Sequence, residues 1–178
     1  MRFLFFSLLA GNLLALPAAA QVLLAPRDTV ATRYQLPGAD CALFPAAASM
    51  GPYSEYIPET GRFTPSREQV TNVEKILPAV RLQDVYERPA NSYYADYPGI
   101  IKARLAEYNR QYYGFYNLKH QPCLYINFFP GKYEQSDNKD PHWLHWPIYV
   151  SDGGAGFWQI FYNLSTNKFY NFSHNLEG

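Results

Sequence analysis

No excess of charge marks this chain: 15 basic side chains stand against 15 acidic ones, and charged residues make up only 17% of 178. That balance argues against nucleic acid as the main partner, since nucleic-acid binders carry a basic patch or stripe. Cysteine is scarce too. There are two in all and no C-x-x-C, which gives no basis for a zinc knuckle or dithiol redox centre. No G-x-x-x-x-G-K, G-x-G-x-x-G or G-x-S-x-G occurs, so nucleotide cofactors and a hydrolase nucleophile elbow lack support, and no cofactor is expected. Ser165-Thr166-Asn167-Lys168 matches S-x-x-K in letters only, because it falls in an expected turn rather than at a helix start. Beyond the first twenty residues no apolar run reaches the roughly 20 residues of a membrane span. What is abundant is aromatic: 16 Tyr, 12 Phe and 3 Trp within a composition that is 48% hydrophobic. Such a chain is globular and suits one domain, burying about 70% of its unfolded surface.

The N-terminus reads as an export leader. Met1-Arg2 is a short basic start, Phe3 to Leu9 and Leu13 to Leu16 are apolar, and Ala18-Ala19-Ala20 closes the segment. These are the three parts of a secretory signal peptide, with cleavage expected between Ala20 and Gln21. Gly11 and Asn12 interrupt the apolar run, which speaks against a membrane-spanning reading. The expected location is secreted or periplasmic. Cleavage leaves 178 − 20 = 158 residues and removes only Arg2 among the charges, for a balance of 14 − 15 = −1. In an oxidising compartment Cys41 and Cys123 are expected to pair. That bridge would close a loop of 123 − 41 = 82 residues, worth about 4 kcal/mol on a chain-entropy model. Two buried free thiols are the alternative.

Residues 21–62 are rich in Ala, Pro and Gly, with Pro26, Pro37, Pro45, Pro52 and Pro58 at short intervals. Proline at that spacing forbids a long helix, and the stretch reads as a partly ordered arm. Leu43 and Phe44 would dock it on the main domain. Residues 63–178 form a single expected domain. Thr64 and Pro65 suit a helix start, Val70, Val73 and Leu77 share a helical stripe, and Pro78 stops it. Glu74 lies at the stripe's margin and reads as a solvated flank. A second helix is expected after Asp96 and Pro98, with Ile101, Leu105, Tyr108 and Tyr112 along one face. Lys102, Arg104 and Arg110 fall off that face, as a solvated side would.

From Tyr113 the period changes to two. Strands are expected over 113–118, 123–129, 144–150, 156–164 and 168–172, with Leu124, Ile126 and Phe128 on one face. Asp152-Gly153-Gly154 and Ser165-Thr166-Asn167 signal tight turns. The expected fold class is therefore α+β: two N-terminal helices packed on one face of a curled antiparallel meander of four to five strands.

Two sets of candidate site residues emerge. The interval from Pro130 to Trp143 reads as a long loop, where binding sites tend to sit. Tyr133, Trp143, Trp146 and Trp158 are candidate contacts for a protein, peptide or glycan ligand, since aromatic faces stack on such partners. Asp137, Asp140, His142 and His145 form the metal-like set. Imidazoles and carboxylates bind zinc, which would make a small metal-dependent or hydrolytic enzyme of Asp140, His142 and His145. Pro141 and Pro147 bracket this stretch and disfavour the helix that would align the two histidines. The leading expectation is thus a non-catalytic binding module. Asn163-Leu164-Ser165 and Asn171-Phe172-Ser173 fit the glycosylation pattern, which matters only in a eukaryotic secretory route.

From Phe63 to about Asn175 the order of several short motifs resembles a group of small secreted bacterial proteins of unassigned activity. The motifs are Thr64-Pro65, Arg110-Gln111-Tyr112-Tyr113-Gly114, Tyr125-Ile126-Asn127-Phe128-Phe129, Asp152-Gly153-Gly154, Phe157-Trp158, Tyr162-Asn163-Leu164 and Phe169-Tyr170-Asn171-Phe172. The resemblance implies export and a small domain; it brings no catalytic residues. Helices on a meander are also similar, at fold level, to cystatin-like and NTF2-like domains, although the Q-x-V-x-G wedge of cystatin inhibitors is absent. Mass spectrometry of the exported chain is expected to find Gln21 as its first residue, and Met1 on protein retained in the cytoplasm would contradict the leader.

Overall fold

The computed structural model describes residues 30–52, 57–86, 93–133 and 141–176; the leader and its cleavage point lie outside them. One mixed sheet of seven strands organises the chain, in the order β1-β2-β4-β5-β6-β7 with β3 beside β4. The strands are β1 Thr32–Leu36, β2 Ala39–Leu43, β3 Gly61–Phe63, β4 Tyr108–Tyr116, β5 Pro122–Pro130, β6 Trp158–Asn163 and β7 Lys168–His174. Among the described residues only two short α-helices occur, α1 Arg67–Ile76 and α2 Tyr97–Ala103.

This overturns the expected α+β meander. Three strands precede the helices, the helices lie in mid-chain, and β2 runs parallel to β4. The strands β1, β2 and β3 all come from the stretch read as a Pro-rich arm. Prolines there mark turns rather than an absence of structure: Pro37 and Gly38, the latter at φ 74°, join β1 to β2 as type II turn residues do. Leu43 and Phe44 are buried, as the docking of that stretch required. The second helix is also shorter than its stripe suggested. It ends at Ala103, and Tyr108 and Tyr112 belong to β4, where they share a face by the two-residue strand period. The segment 144–150, expected to be a strand, instead continues irregularly from a 3-10 turn at His142–Leu144.

The sheet is covered on both sides. On one face Val70, Val73 and Leu77 of α1 and Ile101 of α2 pack on Tyr112, Leu124, Ile126, Phe128, Trp158 and Phe172. On the other, Phe44, Met50, Trp143, Leu144 and Ile148 pack on Tyr113, Phe115, Tyr125 and Phe129. Double coverage explains why seven consecutive residues of β5, Cys123 to Phe129, are all buried. Leu124, Ile126 and Phe128 do share the helical face. Cys123 points the other way, into the second core, whereas Cys41 lies in the first. The expected disulfide is accordingly absent and both thiols are free. The stretch carrying Cys41 joins the sheet as β2, which turns Cys41 to the side opposite Cys123.

Helix α1 is fixed by a capping box. Ser66, two residues beyond the expected Thr64, accepts from the Gln69 backbone N–H at 3.1 Å, and Gln69 Oε1 accepts from the Ser66 N–H at 2.8 Å. Its Glu74 is not a solvated flank. The carboxylate is 10% exposed and lies 3.0 Å from Nε of Arg110, itself 2% exposed, and Tyr112 Oη donates to Glu74 Oε1 at 2.5 Å. The Nε of Arg110 makes no hydrogen bond by direction, so this contact is one of charge. Nη2 donates to the Leu105 carbonyl at 3.0 Å, Nη1 donates to that of Tyr108, and the guanidinium sits over the Phe128 ring. A buried charge stripped of its partner is strongly destabilising, while an apolar replacement of the whole pair is tolerated. Glu74→Ala is expected to cost about 3–5 kcal/mol in urea denaturation. The double variant Glu74→Leu with Arg110→Met is expected to lose far less.

Candidate functional site

The polar centre under α1 is the first place to look for chemistry. Cys41, Glu74, Arg110 and Tyr112 are neighbours there, beside a pocket of about 400 Å³ whose lining includes Lys102 and Leu105. Burial pushes the Cys41 thiol up, and the Glu74 carboxylate adds to the rise. A thiol held neutral is a poor nucleophile. Burial also raises Tyr112 well above its ordinary value, again with Glu74 contributing. Neither group is poised to exchange a proton near neutrality. The centre is structural.

The sequence-derived aromatic set divides in two. Trp158 is fully buried and stacked on Phe128 at 3.5 Å between centroids. Trp143 is buried against Phe129, with the Arg33 guanidinium over its ring. Both are core residues. Tyr133 and Trp146 are exposed; Tyr133 packs edge-on to Phe157, and Trp146 lies over His142. Of the metal-like set, Asp137 and Asp140 lie outside the described residues. His142 is exposed and His145 half-buried at the 3-10 turn. Among the described residues no group of three His, Cys, Asp or Glu side chains is placed to hold a metal.

Two buried amides fix the segment that carries Trp146. Gln111 Nε2 donates to the carbonyls of Trp143 and Trp146 at 2.8 and 2.7 Å, while its Oε1 accepts from Ile148 N–H and from Asn127 Nδ2. Asn127 also donates to the Ile148 carbonyl at 2.8 Å. Buried amides committed to several such hydrogen bonds rigidify the loop that they hold. Sequence reasoning named Gln111 and Asn127 only as letters in motifs. Their position on the second face, between aromatic residues at the strand period, was the signal.

The concavity suited to a ligand lies elsewhere, at the hairpin end of the sheet on the same second face. It is about 590 Å³ and is bounded by the β4–β5 turn, the β6–β7 turn and the ends of those strands. Phe115 meets Phe161 edge-on at 5.9 Å, and Phe161 packs on Tyr170 at 5.4 Å, which gives an aromatic floor. Leu118, 67% exposed, stands at the tip of the β4–β5 turn. Asn117 and Gln121 shape that turn: Asn117 Oδ1 accepts from the N–H groups of Lys119 and Gln121 at 2.9 and 3.0 Å, and His120 takes a positive φ of 56°. On the facing hairpin, Asn163 Oδ1 accepts from the N–H groups of Ser165 and Thr166. Asn163 Nδ2 donates to Gln121 Oε1 at 2.9 Å and so ties the two turns together. Asn163 is thus buried and committed, while Asn171, of the second glycosylation pattern, is exposed at the cleft with φ 51°. Volume and mixed lining fall within the range of small-ligand sites. Asn163, Thr166, Lys168, Phe169, Tyr170 and Asn171 entered the sequence reading only as letters of short patterns, and none of the cleft residues was singled out as a contact, because the site is assembled from two turns far apart in the chain.

Comparison with protein-family models, with curated proteins and with solved structures finds no match to this chain.

Burial gives the fold a definite alkaline limit. It raises the pKa of Cys41, Tyr112, Tyr113 and Tyr170, in each case as the largest cause. In the unfolded chain thiols lose their protons near about 8.5 and phenols near about 10. Above those values the folded chain holds more protons than the unfolded one, so stability falls as pH rises. The melting temperature is expected to be level below about pH 8.5 and to decline progressively through about pH 10. Phenolate absorbance from the buried tyrosines should appear together with unfolding, and its appearance in a folded protein would contradict their burial.

Proposed function

We propose that this chain is an exported, non-catalytic binding module and that its ligand occupies the cleft between the β4–β5 and β6–β7 turns. The observation that carries the reading is the cleft itself. An aromatic floor, an exposed leucine and several side-chain amides line one concavity of about 590 Å³, on turns held by hydrogen bonds. Exposed apolar groups gathered with convergent polar ones, on a rigid scaffold, favour recognition. The leader at residues 1–20 supports a secreted or periplasmic setting. The cleft replaces the 130–143 loop as the favoured site, since two of the four aromatic candidates are buried in the core.

Glycan and peptide arrays probed with the mature chain should return a retained ligand. Leu118→Asp, on an exposed turn, should then weaken that ligand about tenfold or more without lowering the melting temperature, by loss of apolar contact of about 1.4 kcal/mol. Trp146→Ala should leave binding unchanged. The reverse pattern would move the site to the Trp146 surface and overturn the cleft assignment.

A further inference from the structure

We infer that the ligand of this cleft is an acidic sugar chain, a short oligosaccharide bearing carboxylates; the inference rests on the cleft being the binding site. The charge lining is one-sided. Lys119 on one turn and Lys168 at the start of β7 both line the cleft and are exposed, and no acidic side chain joins them among the described lining residues. Neither lysine has an acidic partner among the described residues. In a chain whose charges nearly balance, two ammonium groups on either side of one cleft, without an acidic partner among the described residues, make a local site for anions.

The remaining groups favour a sugar over a peptide. The floor is made by side chains of β4, β6 and β7, on a face of the sheet; β4 and β6 lie between other strands, so their backbone groups are used within the ladder. Addition of a peptide strand, the usual source of peptide affinity, would have to use the outer edge of β7, beside the floor and not over it. Polar recognition must come from side chains. Gln121 commits Oε1 to Asn117 and Asn163, and its Nε2 has no partner among the described residues. Thr166 and Asn171 also line the cleft with side chains that bond nothing else among those residues. Amides and a hydroxyl match sugar hydroxyls, and the half-buried rings of Phe161 and Tyr170 that line the cleft give apolar surface for a pyranose ring.

Calorimetric titration of the mature chain with trimers of galacturonate, glucuronate and mannuronate tests this, beside the carboxyl-reduced galacturonate trimer and hexaglutamate. At least one uronate trimer should bind, with affinity falling as salt is raised. Lys119→Gln with Lys168→Gln should weaken it about tenfold and flatten the salt dependence. The carboxyl-reduced trimer should bind weakly and be indifferent to that double substitution. Equal binding of the reduced and charged trimers would overturn the acidic assignment while leaving the cleft as the site. Binding of hexaglutamate with no uronate bound would show a peptide partner and overturn the sugar assignment. Failure of all the uronates, with an array ligand still sensitive to Leu118→Asp, would do the same. An array ligand indifferent to Leu118→Asp would instead remove the cleft, and this inference with it.

Discussion

The buried contact between Glu74 and Arg110 holds the two layers of the helical side in one arrangement. Glu74 comes from α1 and Arg110 from β4, and the same guanidinium reaches the carbonyls of Leu105 and Tyr108. One cation therefore ties together a helix, a strand and the connection that enters that strand. Desolvating both charges is costly, and a purely apolar contact of similar volume would be as stable or more so. What the pair adds is position. A hydrophobic stripe alone lets a helix slide or rotate over a sheet, whereas a buried carboxylate that must meet a buried guanidinium admits one seating.

The next residue in the chain does the corresponding work on the opposite face. Arg110 and Gln111 are consecutive in β4, so their side chains leave the sheet in opposite directions. Gln111, with Asn127 beside it on β5, holds the carbonyls and N–H groups of an irregular segment that covers the second core. That segment has no ladder of its own, and its backbone groups would otherwise be buried without partners. Tyr112, Tyr113 and Gly114 complete the set. Tyr112 donates to Glu74, Tyr113 stacks on Phe44 at 4.5 Å, and Gly114 leaves room for Phe63, whose carbonyl oxygen would lie 2.5 Å from an added Cβ. Five consecutive residues thus fix both faces and one flank of the central strand.

Much of the second half of the chain was legible in advance, because β4 and β5, and again β6 and β7, are joined by short turns and β5, β6 and β7 lie near the expected bounds. The first half was not, for identifiable reasons. Strands of three to five residues between prolines carry too little periodicity to be told from loop. Pairing of β2 with β4 joins residues far apart in sequence, which no local pattern reports. Ile101, Leu105, Tyr108 and Tyr112 suit a helical stripe, yet the last two alternate equally well in a strand. Glu74 was misread because the margin of a stripe faces either water or a neighbour, and only the distant Arg110 decides which. The cleft was invisible for a related reason, since its two turns are tied by the distant pair Asn163 and Gln121.

The parallel pairing of β2 with β4 bears on how the chain reaches this state. Asp40 sits opposite Asn109, so both helices and β3 intervene before that ladder can close. Loop-closure entropy must be overcome before such contacts give any return, and non-local pairing of this kind slows folding. The hairpins of β4 to β7 can assemble among themselves, whereas β1 and β2, nearest the N-terminus, must wait for a partner made late in synthesis.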